Sequence, residues 1–153
     1  MKLTPIQLKD LPTLQAWLSD ESLFRLVAVE PPDFTKPYYC FIIRLNDGTP
    51  VGWIDVFNVD LQNRKCEAGI AIPHRRGRGL SLRAAKRALD FIFRQLQLNR
   101  VTLRVPASNT ASIRLAEKLG FKWEGVERQA CYRGNEFEDI IVFGLLKHDI
   151  EGR

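Results

Sequence analysis

The chain has 153 residues, of which 45% are apolar, 27% charged and 10% aromatic. This composition is typical of a folded domain and excludes a disordered or collagen-like chain. No apolar run approaches the ~18 residues that a membrane-spanning helix needs, and the first residues lack the unbroken apolar stretch of a signal peptide. We therefore expect a single domain over residues 1–153, located in the cytoplasm.

The cysteines give no sign of a disulfide framework or a metal site. Cys40, Cys66 and Cys131 are odd in number, far apart and without a C-x-x-C pair. Only two histidines, His74 and His148, accompany them. Zinc sites and disulfide scaffolds show denser and more regular patterns. We expect reduced cysteines and no metal.

The formal net charge of +5 comes from one short segment. Six basic residues and no acidic one lie within thirteen positions: Arg75, Arg76, Arg78, Arg83, Lys86 and Arg87. The rest of the chain carries a net charge of −1. A local basic segment favours a compact anionic ligand over an extended nucleic-acid surface.

The hydropathy pattern predicts nine elements in chain order. A helix over residues 10–20 precedes strands over 39–45, 51–58 and 67–72. A helix over 81–97, a strand over 101–105, a helix over 110–119 and strands over 121–130 and 137–146 follow. Residues 30–33 are assigned to a loop, and Trp17, Trp53 and Trp123 to the core. The order predicts a mixed α/β (α+β) layer fold.

The junction between the strand at 67–72 and the helix at 81–97 is the most informative segment. Gly77 and Gly79 lie in the turn that joins the two elements. The first N–H groups of a helix lack internal partners and carry partial positive charge, so such a turn binds anions. Glycine allows the backbone to approach a phosphate closely. The sequence therefore predicts a phosphate site here.

Two common nucleotide motifs do not fit this turn. A Walker A loop ends in Gly-Lys-Ser/Thr, whereas Gly79 is followed by Leu80 and Ser81. A dinucleotide fingerprint requires a third glycine where Leu82 stands, and an acidic residue near position 100, which is Arg100. Both motifs are excluded by these residues.

Two blocks resemble the GNAT superfamily of acetyl-coenzyme A-dependent N-acetyltransferases. The segment Arg76-Gly77-Arg78-Gly79-Leu80-Ser81 matches the family's Gln/Arg-x-x-Gly-x-Gly/Ala loop, with Ser81 as a mild departure. The segment from Asn109 to Phe121, NTASIRLAEKLGF, is similar to a block of the branch that acetylates N-termini of ribosomal proteins and similar amines. With the order of elements, the resemblance covers most of the chain. It implies a GNAT fold with a mostly antiparallel central sheet.

The resemblance also implies how acetyl-CoA is held. In the family, the strand before the loop splays from its neighbour and its backbone holds the pantetheine arm. That role falls here on Ile70, Ala71 and Ile72, while the loop from Arg76 to Ser81 holds the pyrophosphate. Asn109 is an excellent helix N-cap and, in addition, a candidate contact for a pantetheine amide.

Glu67 is the candidate base, because many family members carry a carboxylate in this region of the strand. The alternative is that Glu67 is only a solvated strand residue. Many members also place a Tyr, as general acid, where this chain has Ala116. Either no acid is used, since a thiol is a good leaving group, or Ser112, Tyr132 or Cys131 substitutes. Our catalytic candidates are Glu67 and Ser112.

The acceptor site is predicted from the same resemblance. Tyr132 and Asp139 fall where the family's last hairpin borders the acceptor, and Tyr38 and Tyr39, with the loop of Pro31 and Pro32, are candidate walls. The expected partners are acetyl-CoA and a primary amine, with no membrane or nucleic acid. The sequence leaves open whether the chain forms a homodimer.

Two rival functions remain at this point. A basic module that binds RNA or DNA through the arginine-rich segment would show salt-sensitive binding to any polyanion. A coenzyme A-binding regulator without turnover is compatible with Ala116 at the tyrosine position. Fold resemblance alone does not fix function.

Overall fold

The computed structural model describes residues 1–20, 33, 35–74 and 79–152. The first half contains β1 (Lys2–Pro5), a 3-10 turn (Leu8–Asp10), α1 (Leu11–Leu18), β2 (Tyr39–Arg44), β3 (Pro50–Asp60) and β4 (Lys65–Ala71). The second half contains α2 (Leu80–Asp90), its π-helical continuation (Phe91–Gln95), β5 (Arg100–Pro106), α3 (Thr110–Leu119), β6 (Lys122–Arg133), β7 (Glu136–Leu146) and α4 (Lys147–Glu151). The predicted loop residues 30–32 and Arg75, Arg76, Gly77 and Arg78 lie outside the described residues.

The seven described strands form one sheet in the order β1-β2-β3-β4-β5-β7-β6. Every neighbouring pair is antiparallel except β4 and β5, which run parallel. The connection from β4 to β5 passes through α2, as a parallel pair requires. The predicted mixed, mostly antiparallel sheet with flanking helices is confirmed.

Helices cover both faces of the sheet. On one face, α2 buries Ala84, Ala88 and Leu89, and α3 buries Ala116 and Leu119. On the other face, α1 places its buried Trp17 against Cys40, Ile42, Trp53 and Ala71. Because side chains alternate along a strand, β3 supplies Ile54 to the α2 face and Trp53 to the α1 face.

Most predicted boundaries lie within a few residues of the observed ones, and two elements were missed. These are β1, with four residues, and α4, with five. Such short segments carry too few residues to show a hydrophobic period. The first, β1, is recognisable only through its antiparallel pairing with β2.

The structure confirms that Trp17 and Trp53 are buried, and it corrects Trp123. The indole of Trp123 is 54% exposed, because it lies on β6, the outermost strand of the sheet. One edge-on contact joins its ring to Phe143, with ring centroids 5.4 Å apart. An apolar alternation does not tell an edge strand from a central one, which is why the prediction for Trp123 was wrong.

Candidate active site

The parallel pair β4–β5 opens after a short paired stretch. The register joins Lys65 to Arg100, Cys66 to Val101 and Glu67 to Thr102, and the ladder ends there. Beyond it, β4 continues to Ala71 and β5 to Pro106 without pairing to each other. Backbone N–H and C=O groups that leave a ladder need other partners. The gap between the strands is therefore a natural place for a ligand that hydrogen-bonds to a strand edge.

A cleft of about 660 Å³ occupies this opening. Its walls include residues of the strands β3, β4 and β5 and of the helices α1, α2 and α3. Five residues predicted for the site line it: Glu67, Ile70, Asn109, Ser112 and the candidate wall residue Tyr38. The volume falls within the range of small-molecule sites, about 300–1,000 Å³.

Glu67 stands at the point where the two strands separate. It is half-buried, and the side-chain amide of Asn58 donates a hydrogen bond to its carboxylate. Asn58 belongs to a bulge of β3 and adopts a positive φ of 48°. The bulge turns the Asn58 amide toward Glu67, which thereby keeps one carboxylate oxygen in a fixed orientation.

Two of the predicted strand residues lie beside the cleft rather than in its wall. Ala71 is buried in the cluster under α1, and Ile72 packs against the cluster under α2. Only Ile70 of this trio contributes to the lining. All three follow the end of the β4–β5 ladder, so a role through their backbone groups does not require their side chains in the wall.

The turn after β4 leads directly into α2. Gly79 is the N-cap of this helix and has a φ of +65°, a conformation that side chains rarely adopt. It is exposed, Leu80 is buried and Ser81 is half-buried. The basic residues Arg83, Lys86 and Arg87 are exposed on the outer face of the helix. The described part of the predicted phosphate turn is thus an open helix N-terminus.

Asn109 and Ser112 come together at the start of α3. The Asn109 side chain accepts a hydrogen bond from the Ser112 backbone N–H, at 3.2 Å. The preceding turn is held by the Ala107 N–H, which donates to the Asp139 carbonyl at 2.9 Å, and by the Ser108 N–H, which donates to the Glu138 carboxylate at 2.6 Å. Asn109 therefore acts as the N-cap of α3 in this structure.

Ala116 lies one helical turn after Ser112 and on the same face of α3. It is fully buried and lines the cleft. No hydroxyl is available at the position where the family often has a Tyr. Of the three proposed substitutes, Ser112 alone is among the residues that line this cleft.

The remaining predicted site residues lie outside the cleft lining. Tyr132 is 63% exposed and packs on Phe137, with ring centroids 5.0 Å apart. The buried Cys131 accepts a hydrogen bond from the Arg133 guanidinium at 2.9 Å. The Asp139 carboxylate accepts from the Gln129 N–H at 2.8 Å, at a bulge of β6. The structure places all three on the β6–β7 hairpin and does not bring them together with Glu67.

The sequence analysis missed Asp55, a carboxylate in the cleft wall. Tyr38 donates to its Oδ1 at 2.5 Å and the Trp53 indole N–H to its Oδ2 at 3.0 Å. Burial raises the pKa of Asp55, against the opposing effect of hydrogen bonds from Tyr38, Cys40 and Trp53. One signal could have identified it: a lone acidic residue inside the apolar strand VGWIDVF.

The three cysteines are free and buried. Burial raises the pKa of Cys40 and of Cys66 to about 12, and nearby carboxylates add to both shifts. In the described part of the chain, no group of His, Cys, Asp and Glu is arranged to hold a metal ion. No helix within residues 1–20, 33, 35–74 and 79–152 is long and apolar enough to cross a membrane.

Comparison with known proteins links this geometry to one family. Residues 1–122 match the family described as an acetyltransferase (GNAT) domain. A Bacillus subtilis (strain 168) protein named "Putative ribosomal N-acetyltransferase YdaF" is 34% identical over 109 residues, which cover 71% of this chain and 60% of that protein. The spermidine N(1)-acetyltransferase of Escherichia coli (strain K12) is 31% identical over 103 residues, covering 67% and 55%. The chain thus spans less than two thirds of the length of these two relatives.

Solved structures share the fold over almost the whole chain. The spermidine N-acetyltransferase of Vibrio cholerae, in complex with CoA and spermine, superimposes with a TM-score of 0.90. The match covers 97% of this chain and 96% of that chain, at 20% identity. At this identity the likeness establishes the arrangement of strands and helices.

Proposed function

Since this chain belongs to the GNAT acetyltransferase family, we propose that it transfers an acetyl group from acetyl-CoA to a primary amine. The single observation that carries the proposal is the opening between β4 and β5, which begins where their ladder ends at Glu67. Relatives of the chain bear the names of N-acetyltransferases that act on ribosomal protein or spermidine. A structural neighbour was solved with CoA and spermine.

The chemistry of acetyl-CoA suits two places in the structure, the unpaired edge of β4 and the N-terminus of α2. Its pantetheine arm contains two amide groups, which are suited to pair with the unpaired edge of β4 beyond Glu67 as a further strand would. Its pyrophosphate is a compact dianion, which suits the exposed N-terminus of α2 at Gly79, Leu80 and Ser81. The family resemblance assigns Arg76, Gly77 and Arg78, which lie outside the described residues, to the same pyrophosphate site.

The transfer proceeds by direct attack in a ternary complex. The amine nitrogen forms a bond to the thioester carbonyl carbon, the C–S bond breaks, and the proton lost by the nitrogen goes to Glu67 directly or through water. Positioning the two reactants supplies most of the rate enhancement in such a reaction. A lysine-type amine has a pKa near ~10.4 and an α-amine one near ~7.7–8.0, so a carboxylate base matters more for the first.

CoA leaves as a thiolate and needs one proton to become the thiol. A thiol pKa near ~8.5 makes the thiolate an adequate leaving group without an acid. Where an acid takes part, Ser112 is the hydroxyl that we propose, since it lines the cleft one turn before Ala116. Tyr132 and Asp139 would reach the acceptor only if the acceptor extends out of the cleft toward the β6–β7 hairpin.

The free thiols of Cys40, Cys66 and Cys131 support a reducing compartment, and we propose the cytoplasm as the site of the reaction. Acetyl-CoA and an amine are then the two partners of the chain. The proposal requires no metal.

The test is an acetyl-transfer assay with acetyl-CoA and a panel of amines, read as released CoA thiol and, by mass spectrometry, as acetylated amine. The panel includes a simple monoamine, a diamine and a peptide with a free N-terminus. Turnover with any of them, lost in Glu67→Gln, is the expected result. Binding of acetyl-CoA without transfer to any amine would favour the regulator instead. Salt-sensitive binding of oligonucleotides without acetyl-CoA binding would favour the nucleic-acid module.

A further inference from the structure

Asp55 is a carboxylate that the proposed reaction does not use. It lies on β3, directly opposite Cys40 of β2 and Gly69 of β4. Its side chain lines the same cleft as Glu67. The three hydrogen bonds from Tyr38, Trp53 and Cys40 fix its orientation from the wall side.

These donors do not saturate or neutralise the carboxylate. Two carboxylate oxygens offer about four lone-pair positions, so three donors leave room for another. Within the described residues, no ion pair involves Asp55. Asp55 is partly buried, and a carboxylate that loses part of its hydration without gaining a cationic partner destabilises the fold. A cation that arrives with the acceptor would supply the missing partner.

Space for such a cation exists beside Asp55. Gly69 faces Asp55 across the β3–β4 pair, and a Cβ built on Gly69 would meet no atom within 4 Å. Gly69 therefore leaves the cleft open where a side chain would stand. The opposite wall is formed in part by Leu14 and Leu18 of α1.

Asp55 and Glu67 point to the same face of the sheet. Glu67 pairs with Phe57, two residues from Asp55 along β3, which makes the two carboxylates diagonal neighbours. Diagonal neighbours on an antiparallel pair have Cα atoms roughly 7–8 Å apart. A short diamine with three or four carbons between its nitrogens spans a distance of this order.

We propose that Asp55 selects acceptors with a second cationic group, which it binds while the reacting amine lies beside Glu67. The inference rests on the proposed acetyl transfer and adds the chemical class of the acceptor. Asp55 is then a specificity residue: it makes one charge-assisted hydrogen bond to the acceptor and takes no part in the proton transfer. A purely structural Asp55, which only joins Tyr38, Trp53 and Cys40, would not discriminate between acceptors.

The experiment compares 1,4-diaminobutane with n-butylamine, two acceptors that share a four-carbon chain and differ in the second ammonium group. The quantity measured is the ratio of kcat/KM for the diamine to kcat/KM for the monoamine. Charge-assisted hydrogen bonds give a ratio of roughly tenfold or more in the wild-type protein. A ratio near one would overturn the inference without any variant.

Asp55→Asn and Asp55→Glu provide the matched pair of variants. The first removes the charge and should bring the ratio close to one, mainly through a higher KM for the diamine. The second keeps the charge and should retain a preference for the diamine. A ratio that Asp55→Asn leaves at the wild-type value would overturn the inference, whatever happens to the absolute rates.

Failure of this inference and failure of acetyl transfer give different results. If n-butylamine and the diamine are acetylated equally well, the enzyme activity stands and the role of Asp55 is refuted. If no amine in the panel is acetylated although acetyl-CoA binds, the proposed function itself is refuted, and with it the inference.

Discussion

The carbonyl oxygen of Ala71 lies so close to Gly52 that a Cβ at position 52 would stand 2.2 Å from it. The same Cβ would meet the side chain of Ile72 at 3.0 Å and its Cα at 3.1 Å. The backbone of β3 thus touches the chain at the point where β4 ends. This contact fixes Ala71 and Ile72, which lead into the turn before α2.

Gly52→Ala should therefore destabilise the fold and disturb the cofactor site at the same time. The backbone atoms of Ala71 cannot give way cheaply, so we expect the free energy of unfolding to fall by about 1–3 kcal/mol, as for an overpacked core. The displacement of Ala71 and Ile72 should also weaken acetyl-CoA binding. Urea denaturation and calorimetric titration measure the two effects.

Gly69→Ala is the matched control for stability, since its Cβ would point into open space on the neighbouring strand. Its free energy of unfolding should stay within about 0.5 kcal/mol of wild type. If both variants lose the same free energy of unfolding, the close contact between Gly52 and Ala71 is not the cause of the destabilisation.

The two roles of Asn109 are separable by substitution. Asn109→Ala removes the cap on the Ser112 N–H and should cost about 1 kcal/mol in the free energy of unfolding. Asn109→Asp retains the cap and should unfold like the wild-type protein, yet bind acetyl-CoA more weakly because it lacks the amide donor. Wild-type affinity in Asn109→Asp would restrict Asn109 to capping.

Glu67→Gln tests the proposed base. A positioned general base contributes roughly 10²–10⁴-fold, so kcat should fall by about 10²-fold while the KM for acetyl-CoA changes little. Glu124→Gln serves as the control, because Glu124 pairs with Arg100 outside the cleft lining. Unchanged kcat in Glu67→Gln would leave Glu67 as a structural partner of Asn58.

The pKa of Asp55 links its environment to stability. Burial raises this pKa in the folded protein, so the folded state binds the proton more tightly than the unfolded chain does. The stabilisation that protonated Asp55 gives to the folded state is complete below the unfolded pKa near ~3.9. It is lost as the pH rises through the folded pKa. Wild type should therefore lose stability relative to Asp55→Asn as the pH rises above ~4. Urea denaturation of both proteins at several pH values measures the difference in their free energies of unfolding. If that difference does not change with pH, the titration of Asp55 does not contribute to stability.

The elements that could be read from sequence are those with local signals at both ends. For α3, Asn109 at the start and Gly120 at the end mark the boundaries, and the helix occupies the predicted residues. The turn at Asp47 and Gly48 likewise carries its own glycine, with a φ of +90°. Such signals depend on the residues themselves and not on their neighbours in space.

Features that depend on tertiary contacts were missed or only partly predicted from the sequence. The pattern along β3 shows Asp55 as one polar residue, but its burial depends on Tyr38 and on the position of β2. The exposure of Trp123 follows from β6 being the outer strand of the sheet. Likewise, the three-residue pairing of β4 with β5 is a matter of register that no single segment encodes.

The most direct test of the account is a calorimetric titration of acetyl-CoA into wild-type protein, Gly79→Ala and Gly48→Ala. Both glycines have a positive φ, and an added Cβ would meet no atom closer than 3.8 Å at either position, so each substitution strains the backbone without a steric clash. Gly79 alone lies at the proposed pyrophosphate site. We predict binding by the wild-type protein and by Gly48→Ala, and at least tenfold weaker binding by Gly79→Ala. No binding by wild type, or equal binding by all three proteins, would contradict a cofactor site at the start of α2.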